Sequence, residues 1–113
     1  MPSVWHVVAE VSLPMPGDPR VWDLLLRLAD QVVGAEAETR IRDVQALVRR
    51  MRARQRDGGT DEVLLILSDS AVNRRLVGEL REALGDDFAT PPRALLAALR
   101  EGRPLPGSGV ILL

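Results

Sequence analysis

The chain has 113 residues, 46% hydrophobic and 27% charged, with a formal net charge of −1, which suits one globular domain and leaves no room for a second. It has no cysteine, a single histidine (His6) and no lysine, all fifteen basic residues being arginine, so disulfides, zinc–thiolate sites, multi-histidine metal sites and any lysine-dependent chemistry are excluded. No apolar run approaches the roughly 20 residues of a membrane span, and Met1-Pro2-Ser3-Val4 lacks the charged start of a signal peptide, which together predict a cytoplasmic protein.

Val4 to Leu13 is rich in β-branched and apolar residues and predicts a first strand. His6 reads there as a half-buried strand residue rather than a catalyst. Pro14-Met15-Pro16-Gly17 is a rigid turn. Asp18-Pro19 then carries the cap-then-proline signature of a helix start. Trp22, Leu25, Leu26, Leu28, Ala29 and Val32 recur at helical spacing, which predicts a helix from about Pro19 to Gln31. Asp18 would cap it, and Asp23 would sit in its first turn, where a carboxylate favours the helix dipole.

Val33 to Arg40 predicts a second strand with strict alternation: Ala35 and Ala37 face one way, Glu36, Glu38 and Arg40 the other. An arginine-rich helix follows from about Ile41 to Arg56, burying Ile41, Val44, Leu47, Val48 and Met51. Between Arg40 and Arg56 seven arginines stand against one acid, Asp43. Arg42, Arg49, Arg52 and Arg56 fall on one face of that helix with almost no acids to pair with. A basic stripe of this kind points toward an anion, and leaves nucleic acid open as a partner.

Gly58-Gly59 marks a turn, and Val63 to Leu67 is a continuous apolar run, as in a central strand covered on both faces. Ser70 caps a helix over Ala71 to Leu84, which Gly85 stops. Asp86-Asp87-Phe88 predicts a short extended link. Thr90-Pro91 repeats the cap-then-proline signal for a helix from Pro92 to Arg100, ended by Gly102, and Val110 to Leu113 reads as a final strand. The order β-α-β-α-β-α-(β)-α-β predicts a single three-layer α/β domain over residues 1–113, with a mixed, mostly parallel sheet and helices on both faces. Ligands of such sheets sit at the carboxyl ends of the strands, which makes Asp69 a natural third acid beside Glu36 and Glu38. Gly58-Gly59 and Gly107-Ser108-Gly109 lack the spacing of a phosphate loop.

Several stretches, taken in order, resemble a known family. They are Pro14-Met-Pro-Gly-Asp-Pro-Arg-Val-Trp-Asp23, Glu36-Ala-Glu-Thr-Arg-Ile-Arg-Asp-Val-Gln-Ala-Leu47, Gln55-Arg-Asp-Gly-Gly59, Leu65-Ile-Leu-Ser-Asp69 with Asn73-Arg74-Arg75, and Gly107-Ser-Gly-Val-Ile-Leu-Leu113. Together they resemble the C-terminal domain found behind Xre-type helix-turn-helix regulators of actinobacteria, a family of poorly defined function. More distantly, a strand with Glu-x-Glu followed by a helix and an apolar strand looks like the core of PD-(D/E)XK, restriction endonuclease-like enzymes. That resemblance implies a magnesium site in which Glu36 is an acidic ligand and Asp18 or Asp23 supplies another. Glu38 stands where the family has its lysine, and a guanidinium such as Arg40 or Arg54 is a poor proton acceptor. A degenerate, non-cutting relative follows.

The leading expectation is thus a non-enzymatic regulatory or interaction domain needing no cofactor. It would bind a protein partner or anionic ligand through the Glu36/Glu38/Arg40 face and through Arg42, Arg49, Arg52, Arg56 and Asp69. The alternative is a Mg2+-dependent nuclease, with Glu36, Glu38 and Arg40 in the catalytic roles and Glu36, Asp18 and Asp23 on the metal. A third reading has Glu36, Glu38 and the helix arginines satisfy one another as an ion network. No membrane partner is expected, and an unpaired edge strand leaves a homodimer open.

Overall fold

Strands β1 (His6–Ser12), β2 (Val21–Leu28) and β3 (Gln31–Glu38) run as an antiparallel meander through the first third of the computed structural model, which describes residues 4–113. The expectation about a signal peptide falls largely on residues 1–3, outside the described residues. Helix α1 (Val44–Asp57) then crosses to β4 (Glu62–Leu67), which lies parallel to β3. Helix α2 (Ala71–Leu84), a 3-10 turn (Gly85–Phe88) and helix α3 (Pro92–Glu101) lead to β5 (Gly109–Leu112), parallel to β4. The five strands form one mixed sheet in the order β1-β2-β3-β4-β5.

Three expectations are corrected. The helix predicted over 19–31 is strand β2, so the chain opens β-β-β rather than β-α-β. The sheet is not mostly parallel, because the β1–β2 and β2–β3 ladders that build its first half are antiparallel. The link at 86–88 is a 3-10 turn rather than an extended segment. The physical reason for the first lies at Asp18, whose carboxylate does not cap a helix. It accepts the Arg20 backbone N–H at 2.9 Å and the Arg20 Nε at 3.0 Å, closing the β1–β2 connection as a turn. Trp22, Leu25, Leu26 and Leu28 are then buried on a strand covered by neighbours at both edges.

The second half follows local signals closely. Asp43 caps α1 by accepting the Ala46 N–H at 3.0 Å, and Ser70 caps α2 by accepting the Asn73 N–H at 3.2 Å. Gly102, at φ 65°, ends α3 in the left-handed conformation that glycine adopts without a Cβ penalty. Alternate residues of β4 feed two hydrophobic clusters. Val63, Leu65 and Leu67 join Leu47, Val48 and Met51 of α1 and Val77, Leu80 and Leu84 of α2. Leu64 and Ile66 join Leu95 and Ala98 of α3, with Val33 and Ala35 of β3.

Trp22 anchors the meander to α1. Its ring is buried over Gly34 and Gly58, and its indole N–H donates to the Gly58 carbonyl at 3.3 Å.

Candidate functional site

Glu36 and Glu38 leave β3 on the same side, and α1 runs back along that side. Two residues of strand rise about 6.6 Å and four residues of helix about 6 Å, so acids spaced by two on β3 match arginines spaced by four on α1. The outcome is two rungs: Arg54 Nε donates to Glu36 Oε1, and Arg50 Nη2 donates to Glu38 Oε1. Their surroundings differ. The inner pair is nearly sealed, with side-chain exposures of 11% for Arg54 and 4% for Glu36; the outer pair is open, at 41% for Arg50 and 30% for Glu38.

Arg54 also lies over the Trp22 ring, 5.9 Å from its centroid, and donates to the Val21 carbonyl at 3.2 Å. On the neighbouring strand, Asp23 stands within hydrogen-bond reach of Glu36, and its Oδ2 accepts the Ala37 N–H at 2.9 Å. Burial first, and the Asp23 carboxyl second, push the Glu36 carboxyl above the ordinary carboxylate range; the Arg54 guanidinium opposes them.

The remaining candidates are dispersed. Asp18 is clamped by Arg20, which holds its carboxyl down at about 2, and Arg20 continues to Asp57 at 3.1 Å. Arg52 donates to the Ala83 and Leu84 carbonyls at 3.0 and 3.2 Å, satisfying orphan acceptors at the end of α2. Arg56 pairs with its neighbour Asp57 at 3.0 Å. Asp69 pairs with Arg74 at 2.7 Å on the surface after β4. Arg40, Arg42 and Arg49 are exposed and make no side-chain hydrogen bond or ion pair among the described residues.

A cleft of about 160 Å³ opens at the carboxyl end of β3. Arg40, Arg42 and Arg50 supply its cations, Glu38 and Asp43 its acids, and Ala46 and Leu47 its apolar floor. The Asp43 carboxylate is engaged with the first turn of α1, and the start of that helix adds partial positive charge. A second cleft of about 200 Å³ adjoins it through Glu38, between Thr39 and Ser68.

One residue absent from the expected site holds it together. Asn73, fully buried at 0% exposure, accepts the Ile41 N–H at 2.9 Å and donates to the Thr39 and Ser68 carbonyls at 3.0 and 2.8 Å. It therefore ties the β3–α1 connection, which carries Arg40 and Arg42, to the end of β4. The signal was its spacing: Asn73 shares the buried stripe of α2 with Val77, Leu80 and Leu84, and a polar residue on such a stripe needs a partner.

Of the acids expected on a metal, Asp23 and Glu36 are together, whereas Asp18 is taken up by Arg20. Among the described residues no three His, Asp or Glu side chains gather as a metal-binding set. Among the described residues no helix is long and apolar enough to cross a membrane. Comparison with protein-family models, with curated proteins and with solved structures finds no match to the chain.

Proposed function

We propose that the protein is a non-catalytic binding domain, of the kind carried by transcriptional regulators, that takes an anionic ligand or an anionic group of a partner at the carboxyl end of β3. The observation that carries this reading is the convergence of Arg40, Arg42 and Arg50 on one cleft, the first two without acid partners among the described residues. Guanidiniums present planar, paired donors suited to oxyanions. Arg49, the exposed residue next to Arg50 on α1, extends the basic surface. Arg52 and Arg56 belong to the scaffold in this reading, since their donors serve α2 carbonyls and Asp57. The link to transcriptional regulation rests on the sequence resemblance alone.

Calorimetric titration with pyrophosphate tests the proposal. Saturable binding that weakens as salt rises, and drops at least roughly tenfold in an Arg40→Gln/Arg42→Gln variant, is expected from losing two charge-assisted contacts. Binding unchanged in that variant refutes the assignment of the cleft.

The Asp23–Glu36 pair favours one second reading, a metal-dependent phosphodiesterase. The residues fit Mg2+ poorly, because Arg54 occupies the Glu36 carboxylate, and the chain has no lysine to serve in catalysis. Mn2+- or Mg2+-dependent cleavage of plasmid DNA, abolished in Glu36→Gln, would establish this reading in place of the first.

A further inference from the structure

We infer that the cleft receives a single phosphomonoester-type group, and that Glu38 is the resident competitor which such a group displaces from Arg50. The inference rests on the anion-binding reading and adds to it a ligand class and a means of control. Its starting point is the difference between the two rungs. Opening the inner pair would leave the Glu36 carboxylate, 3% exposed, without its counter-charge, and breaking a buried pair is strongly unfavourable. The outer pair stands in solvent at 41% and 30% exposure, where ion pairs contribute little and exchange readily. Arg50 is thus the one paired guanidinium of the cleft that can change partner.

Glu38 also has somewhere to go. It borders both clefts, and Thr39 and Ser68 also line the second, residue types whose hydroxyls can donate to a carboxylate. An incoming dianion meets Arg40 and Arg42 as well as Arg50, whereas Glu38 holds Arg50 alone. Size sets the ligand class. A volume of about 160 Å³ lies below the roughly 300–1,000 Å³ of pockets that enclose whole small molecules. One tetrahedral headgroup fits, with the rest of its carrier outside.

Inorganic phosphate is the probe, titrated by calorimetry into the full chain, Glu38→Gln, Arg50→Gln and the double variant. Removing the competitor is expected to tighten phosphate binding roughly two- to fivefold, the range an exposed pair corresponds to. Arg50→Gln is expected to weaken it, and Glu38→Gln to have no effect in the Arg50→Gln background. Unchanged or weaker binding in Glu38→Gln, with saturable binding by the unaltered chain, overturns the competition and leaves the anion-binding reading intact. Tightening that persists without Arg50 also overturns it, because the effect is then one of overall charge. Absence of saturable binding in both the unaltered chain and Glu38→Gln overturns inference and reading together. Glu38 is half-exposed, and an unchanged circular dichroism spectrum identifies folded variants for each comparison.

Discussion

Arg54 reaches from the last turns of α1 to the buried carboxyl of Glu36, closing the sheet, the helix and the Trp22 ring into one unit. Because the pair is almost sealed, its members are not independently dispensable. Arg54→Met strands a buried carboxylate beside Asp23 and is expected to cost about 3–5 kcal/mol at neutral pH, whereas Glu36→Leu/Arg54→Met together cost much less. The pH dependence has a definite sign. Burial and Asp23 already raise the Glu36 carboxyl, and losing Arg54 removes the one influence that lowers it. A raised carboxyl favours folding below its unfolded-state value and loses that contribution as pH rises through its folded-state value. The Arg54→Met deficit, followed by urea denaturation, should therefore shrink as pH falls through the acid range. A deficit independent of pH would show that the carboxylate is not its source.

Asn73 offers a test of how the cleft is held. Its amide serves the Ile41 N–H and the Thr39 and Ser68 carbonyls in a buried setting. Asn73→Ala leaves these groups without their partner and is expected to cost about 2–4 kcal/mol. Asn73→Asp keeps the acceptor for Ile41 but turns an acceptor toward two carbonyls, so it should be no better. Hydrogen exchange at Ile41 gives the local readout: its amide should lose protection in both variants beyond what global destabilisation accounts for.

Asn73 also shows why parts of the site escaped the sequence. Asparagine in the first turn after a serine cap reads as an ordinary polar surface residue until its place on the Val77–Leu80–Leu84 stripe is noticed. Where local signals agreed with tertiary demands, reading was straightforward: Ser70 and Gly85 bound α2, and the apolar run 63–67 is β4. Strand β2 misled because Trp22, Leu25, Leu26 and Leu28 satisfy helical spacing and also suit a strand buried on both faces. The two-residue turn that joins it to β3, Ala29-Asp30, has neither glycine nor a positive φ, so the usual hairpin signature is missing. Alternation at Glu36 and Glu38 was legible. That Arg50 and Arg54 would answer them depended on the relative direction of β3 and α1, which no local pattern encodes.

The Trp22 pocket yields a steric prediction. A Cβ on Gly34 would stand 2.5 Å from the indole ring, inside any tolerable contact, and the ring is enclosed by β2, β3 and the end of α1. Gly34→Ala is expected to destabilise by about 2–3 kcal/mol through overpacking. The cause can be isolated by Trp22→Leu, which removes the atoms in conflict. Although Trp22→Leu is itself costly, the double variant should lose much less than the two single losses added together in a thermal-melt cycle. Strict additivity would place the strain elsewhere.

Glu62, at the start of β4, gives a pH-dependent prediction away from the cleft. Its Oε2 is buried and has no hydrogen-bond partner among the described residues. Burial is the main influence that raises its carboxyl, with a hydrogen bond from Ser108 acting against it and nearby Asp61 acting with it. Ser108 Oγ also accepts the Val63 N–H at 2.8 Å, which fixes the hydroxyl against the backbone of β4. A carboxyl raised by folding contributes stability below its unfolded-state value and opposes folding once pH passes its folded-state value. Glu62→Gln, which cannot ionise, is therefore expected to match the unaltered protein near pH 4 and to melt higher at pH 8. Ser108→Ala should do the reverse, lowering the melting temperature at pH 8 more than at pH 4, because the ionised carboxylate loses the influence of Ser108 that favours it. Equal shifts at both pH values in Ser108→Ala would assign the cost to the orphaned Val63 amide alone.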